Sequence, residues 1–172
     1  MTSTTAPTQT NTEILRAVID SLNRRDVAAI KGFWTPETIQ HFPDGTARGP
    51  EEIGAWIETS LAALAGWHME ILATAEQGDD LFFSWRLTGR HTGAWFGLAP
   101  TGKAIAIHGV DHMVVRDGKL VENVVLSDQL DTARQFGLMP PMDSLAERAM
   151  KGGFNVMTKL TRRRAARPPE RG

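Results

Sequence analysis

The sequence predicts an α+β fold in which helices pack on one face of a curved antiparallel sheet. Apolar residues recur at helical spacing up to Gly66 and at a spacing of two from Trp67 onward. Asp117-Gly118 lies between two alternating runs and is the strongest hairpin signal in the chain. Helices come before the long run of strands, the order of a segregated α+β architecture.

Each element follows from local chemistry. Ile14, Leu15, Val18, Ile19 and Leu22 mark a first helix, with Asn11 or Thr12 as its N-cap. Asp26 caps a second, short helix through Val27, Ile30 and Phe33 or Trp34. Ile39 to Phe42 is an extended piece closed by the turn Pro43-Asp44-Gly45. Gly49-Pro50-Glu51-Glu52 opens a third helix, because proline suits the first helical position and acids suit the positive end of the macrodipole. Ile53, Trp56, Ile57, Leu61 and Leu64 form its apolar side, and Gly66 ends it. Strands are expected at 67–75, 81–91, 103–116 and 120–127, joined by turns at 77–80, 97–102 and Asp117-Gly118. Residues 128–136 read as one or two helical turns and 144–150 as a further short helix. The expected organisation is a disordered N-terminus over 1–11, the α+β domain over 12–138, and a C-terminal extension over 139–172 that ends in a basic disordered tail.

Composition narrows the class of molecule. The chain has 172 residues, 41% hydrophobic and 23% charged, as in ordinary globular domains. No apolar run approaches the ~20 residues of a membrane span, and the start, MTSTTAPTQTNTE, has neither the basic nor the apolar region of a signal peptide. A cytoplasmic location and no membrane partner are the expectations. The absence of cysteine excludes disulfides, thiol catalysis and Cys-based zinc sites. Between Lys159 and Gly172 six Lys/Arg face one Glu, a balance of +5 that leaves −6 for the rest of the chain. This end is short, contains proline and has no aromatic residue for base stacking, so it reads as a solvated tail and not as a nucleic-acid arm.

Local motifs exclude several chemistries. Gly97-Leu-Ala-Pro-Thr-Gly102-Lys103-Ala104 fits G-x-x-x-x-G-K but ends in alanine where a phosphate loop needs a hydroxyl, and it leads into a strand. His108 and His112 share a strand face but stand ~13 Å apart, too far to ligate one ion, and both are expected on the outward or subunit-contact face. No H-E-x-x-H, G-x-S-x-G or G-x-G-x-x-G occurs. No metal and no cofactor is expected.

Polar groups on apolar strand faces remain. In AIAIHGVDHMVVR, residues 104–116, the inward row is Ile105, Ile107, Gly109, Asp111, Met113 and Val115. A carboxylate in that row is either paired or protonated, because a bare buried charge costs several kcal/mol, and burial lifts its pKa toward the range useful for proton transfer. A structural Asp held by backbone or by an Arg is the alternative. Gly109 removes a side chain beside it, which favours a cavity. On the preceding strand Leu81, Phe83, Trp85, Leu87, Gly89 and His91 form the inward row, with His91 at its mouth.

Gly89-Arg-His-Thr-Gly93, Gly97 to Gly102, Gly109-Val-Asp-His-Met-Val-Val-Arg-Asp-Gly-Lys-Leu-Val-Glu122, Asp128-Gln-Leu and Gln135-Phe-Gly137 occur in this order. With Phe33-Trp34-Thr-Pro-Glu and Gln40-His41, this set resembles the SnoaL-like polyketide cyclases of the nuclear transport factor 2-like superfamily, over roughly Thr12 to Leu138. The resemblance implies a cone-shaped α+β barrel, three N-terminal helices packed on a strongly curved antiparallel sheet that encloses an apolar pocket, with a homodimer or homotetramer and a hydrophobic, polyketide-like substrate in antibiotic biosynthesis and secondary metabolism. It implies cofactor-independent intramolecular aldol ring closure, in which an acid removes a proton α to a carbonyl and donors hold the enolate. The same scaffold also serves hydroxylases, epoxide hydrolases, isomerases and non-catalytic binding or assembly modules, so the fold alone does not select a reaction.

The family's last strand usually reads acid, His, any residue, Asp after D-G-K-I-x, and its second acid is the base. Here the run is Glu122-Asn123-Val124-Val125, so asparagine stands at the histidine position and Val125 at the base position. Asp111 is then the candidate acid or base, with Asn123 orienting a carbonyl or enolate oxygen. His41 and His91 are candidate donors at the rim. Trp34, Phe83, Trp85, Met113 and Val125 are candidate substrate-binding walls. For His91 the alternative is a hairpin-end residue bonded to the nearby loop, and Asp128 reads as an N-cap. Met142, Leu145, Met150 and Phe154 have helical spacing and are expected to form a lid or to pack on a partner subunit.

Overall fold

The computed structural model describes residues 10–165. Residues 1–9 and 166–172, which hold most of the expected N-terminal tail and the end of the basic one, lie outside the described residues. The chain divides into two compact units, the first ending at Thr132 and the second beginning at Ala133.

Helix α1 (Asn11–Asn23) buries Ile14, Leu15, Val18, Ile19 and Leu22 as the spacing predicts. Its N-cap is Thr10, one residue before Asn11 and two before Thr12, the expected caps, because Thr10 and Glu13 form a reciprocal capping box. Asn11 and Thr12 tie the helix to the neighbouring hairpin, through Gly78 O and the Glu76 carboxylate. Helix α2 (Val27–Lys31) has the expected cap, Asp26 accepting from Ala29 N.

Trp34 belongs to the next strand, not to this helix. Strand β1 (Trp34–Phe42) is longer than the expected 39–42, with an irregularity between Trp34 and Ile39. Pro36 lacks an N–H there, and the Thr38 hydroxyl stands in, taking Thr35 N–H and donating to Leu120 O at 2.6 Å. A four-residue strand that the sequence did not announce, β2 (Gly45–Arg48), pairs with β1 across the predicted turn. Helix α3 (Gly49–Ala63) begins at the expected Gly-Pro and gives way to extended backbone at Leu64.

Strands β3 (Leu64–Gln77), β4 (Asp80–His91), β5 (Ala104–Arg116) and β6 (Lys119–Ser127) follow; β3, β4 and β6 begin before their expected starts and β5 just after its own. Asp117 and Gly118 both have positive φ, 50° and 75°, the conformation that a two-residue type I′ hairpin demands. The six strands form one open sheet in the order β2-β1-β6-β5-β4-β3. All neighbours are antiparallel except β1 and β6, which run parallel. This pair departs from the purely antiparallel expectation, because β1 is laid down before α3 and returns to the sheet beside the last strand. Irregularities in three of the five pairings bend the sheet, as β-bulges do. Helix α1 packs on β3, and α3 on β1.

Helix α4 (Gln129–Phe136) starts at Asp128, whose carboxylate accepts Asp131 N–H at 2.8 Å, so the N-cap reading of Asp128 holds. In the second unit the expected short helix at 144–150 is α5 (Leu145–Ala165), 21 residues that take in part of the segment assigned to an unstructured tail. Gly152 and Gly153 lower helix propensity by about 1 kcal/mol each, too little to stop a run otherwise rich in good helix formers. No helix among the described residues is long and apolar enough to cross a membrane.

Candidate active site

The inner faces of β4, β5 and β6 carry the site, and strand register fixes what meets what. On β5, Gly109 lies opposite Trp85, and Asp111 lies opposite Phe83 on one side and Val125 on the other. Met113 is opposite Leu81 and Asn123. Gly109 is required by its neighbours: a Cβ there would overlap the Trp85 ring and lie 2.6 Å from the Leu126 carbonyl oxygen. The space it leaves is therefore filled by the indole and is not part of a cavity, which corrects the expectation.

Passing over Gly109, the Trp85 indole reaches diagonally to the carboxyl. Its Nε1–H donates to Asp111 Oδ1 at 2.6 Å, and Asn123 Nδ2 donates to Oδ2 at 2.9 Å. Asp111 is buried, 7% exposed. Burial pushes its pKa up from 3.8 to about 6, and the hydrogen bonds from Asn123 and Trp85 pull in the opposite direction. The group is thus a carboxyl that changes charge near neutrality, the property a general base needs.

It faces a cavity of about 850 Å³ of empty space, its mouth included, between α1, α3 and the concave side of the sheet. Every one of the chain's five tryptophans lines it: Trp34, Trp56, Trp67, Trp85 and Trp95. Val18, Ile19 and Leu22 of α1 and Phe42, Phe83, Ile107, Met113 and Val125 complete the apolar wall. Polar groups are few, namely Gln40, Asp111, Asn123, Ser127, Gln129 and Thr132. An apolar cavity with a handful of polar groups is the form a site for a flat organic ligand takes. Three buried polar atoms on its lining residues lack a partner among the described residues: Trp34 Nε1, Trp67 Nε1 and Asn123 Oδ1.

The structure gathers Asp111, Asn123, Trp34, Phe83, Trp85, Met113 and Val125 on this one cavity. The two histidines assigned to the rim do not line it. His41 is half-exposed, its Nε2 3.1 Å from Glu122 Oε1 and its Nδ1 3.1 Å from Thr46 Oγ1, because strand alternation turns Gln40 inward instead. His91 is buried at the end of β4, where its Nδ1 accepts Thr101 N–H at 3.2 Å and anchors the loop before β5. On the opposite side of the sheet His112 stacks on Phe82 and lies 2.7 Å from Asp80 Oδ1. Sequence reasoning missed Trp56, Trp67 and Trp95. Trp56 stood in view on the apolar stripe of α3, whereas Trp95 sits in a loop with no periodicity to place it.

The family model of the SnoaL-like polyketide cyclases matches residues 12–136. The chain belongs to the SnoaL-like polyketide cyclase family. This SnoaL-like chain is 27% identical over 133 residues to the aklanonic acid methyl ester cyclase DauD of Streptomyces sp. (strain C5), covering 73% of this chain and 80% of that protein. It is 26% identical to the aklanonic acid methyl ester cyclase DnrD of Streptomyces peucetius, over 74% of this chain and 91% of that one. Among solved structures, AclR of Streptomyces galilaeus superposes with a TM-score of 0.67 at 22% identity, covering 75% of this chain and 96% of its own. At that identity the likeness shows the fold alone.

Proposed function

We propose that this SnoaL-like chain closes a carbocyclic ring of a flat, polyketide-type substrate by intramolecular aldol addition, with Asp111 as the base. One observation carries the reading: a buried carboxyl held by two donors, with a pKa of about 6, on an aromatic-walled cavity. The Asp111 carboxylate removes a proton from the carbon α to a carbonyl. The resulting enolate carbon bonds to the carbon of a second carbonyl in the same molecule, and the alkoxide formed there takes a proton back from the Asp111 carboxyl. Nothing is oxidised or reduced, and product and substrate are isomers.

The enolate oxygen needs a donor aimed at the developing charge. Asn123 is a weaker choice than its position suggested, since its amide already donates to Asp111. We assign it, with Trp85, to positioning the base. Turned over, the same amide offers Oδ1 to the protonated carboxyl, so that it supports Asp111 in both states. The buried indole N–H groups of Trp34 and Trp67, which lack acceptors among the described residues, are the donors we assign to the enolate. His41 and His91 receive no role.

The relatives' names supply the first substrate to try. Incubated with aklanonic acid methyl ester, the protein is expected to yield a product of unchanged mass and altered chromatographic retention. Binding without any isomerisation would favour a ligand-binding module instead. A second copy of the chain is the partner we propose for the outer sheet face, where Leu72, Phe82, Val110 and Leu126 are exposed. The mass in solution, measured by light scattering, tests this.

A further inference from the structure

Helix α5 lies beyond the residues that the family model matches, and the candidate site makes no use of it. Its side chains sort by face. Met150, Phe154, Met157 and Leu160 recur at helical spacing and all are exposed, Phe154 at 71% and Met157 at 68%. Arg148, Lys151, Lys159 and Arg162 recur on the other side, and Arg163 and Arg164 follow in the sequence. Over Leu145–Ala165 six Lys/Arg stand against one acid, whereas before Leu145 eleven Lys/Arg stand against eighteen Asp/Glu. The one acid, Glu147, is buried and held by Arg134 at 3.0 Å and Lys151 at 3.1 Å within the same unit.

We infer that α5 is a peripheral anchor that lies in the headgroup layer of an anionic phospholipid bilayer. An amphipathic helix with Phe, Met and Leu on one face and Lys and Arg on the other buries the first at the acyl boundary and sets the second among lipid phosphates. Long basic side chains reach the headgroups while their stems cover apolar surface. The helix is too polar to cross a membrane, so it lies on the bilayer and does not span it. The charge pattern selects this occupant. Two copies of α5 packed through their apolar faces would leave the basic side of each without acids to pair it. A nucleic acid would neutralise the charges but leave Phe154 and Met157 in water. The Gly152-Gly153 pair lowers intrinsic helicity, so burial of the apolar face adds to the helix itself.

Flotation of the full chain with vesicles tests the inference. The chain is expected to float with vesicles of phosphatidylcholine mixed with phosphatidylglycerol, not with phosphatidylcholine alone, and to be released as salt screens the charges. Phe154→Glu/Met157→Glu is expected to lower the bound fraction about tenfold, and Lys159→Glu/Arg162→Glu to do the same without touching the apolar face. Failure to float with the mixed vesicles would overturn the inference, as would flotation that neither double variant weakens. A solution mass that Phe154→Glu/Met157→Glu halves, with flotation absent, would assign the face to a second copy. Retention of duplex DNA with flotation absent would assign it to nucleic acid.

Discussion

Asp111 and Val125 face one another across the β5–β6 ladder. In the pattern that the resemblance implies, the base would fall at the position Val125 occupies, and the Asp111 carboxyl stands one strand aside, within the ~5 Å between opposed Cβ atoms. Both residues line the same cavity, Asp111 from β5 and Val125 from β6.

That relationship makes an exchange informative. Asp111→Val is expected to lower kcat by at least about a hundredfold, the usual worth of a general base. Asp111→Val/Val125→Asp is expected to recover about tenfold or more of the loss, because the transplanted carboxyl again lines the cavity. Turnover that survives Asp111→Val would remove Asp111 from the mechanism.

Protonation gives a second expectation, with two signs to keep apart. The base works only when ionised, so kcat/KM should rise with pH through about 6 and level off above it. Stability runs the other way. The folded pKa of about 6 exceeds the unfolded 3.8, so raising pH across that window favours the unfolded chain by up to about 3 kcal/mol. Asp111→Asn should therefore be more stable than the parent above the window and lose that advantage below it, as urea titrations at the two pH values would register.

Trp85 offers a third. Trp85→Phe keeps most of the apolar bulk but removes the N–H that donates to Asp111 at 2.6 Å. The rise in kcat/KM should then move to higher pH. Gly109→Ala should do the same by displacing the ring, and should cost in addition about 1–3 kcal/mol in thermal unfolding. An unmoved pH profile in both variants would show that the indole does not govern the carboxyl.

The donors are separable by the same logic. Trp34→Phe should lower kcat about tenfold or more with KM little changed, since its N–H is assigned to charge that develops only in the transition state. His41→Ala should leave turnover as it is. His91→Ala should depress the melting temperature and spare kcat, because the imidazole holds Thr101 and not the cavity. A large kcat loss in either histidine variant would return it to the site.

Strand alternation alone made Asp111 conspicuous, because a period of two leaves an inward carboxyl nowhere to hide. The same rule placed Trp85, Phe83 and Met113 correctly. It gave no guidance at β1, where His41 was a candidate through the resemblance alone and the structure turns Gln40 inward instead. It misjudged Gly109, since the indole that fills its space comes from the neighbouring strand, and cross-strand register is not written in one strand's periodicity. The parallel pairing of β1 with β6 joins segments some eighty residues apart and leaves no local signature. The length of α5 escaped because a glycine pair reads as a stop when the flanking residues are not weighed.

All five indoles of the chain border one cavity, and the chain has no tyrosine. Its near-ultraviolet emission therefore originates almost wholly from the walls of the site. A ligand that absorbs in the visible, as extended conjugated polyketides do, would accept that excitation at short range and quench it. The protein carries its own optical titration, one that needs neither a label nor turnover and that reads occupancy in the inactive Asp111 variants as readily as in the parent.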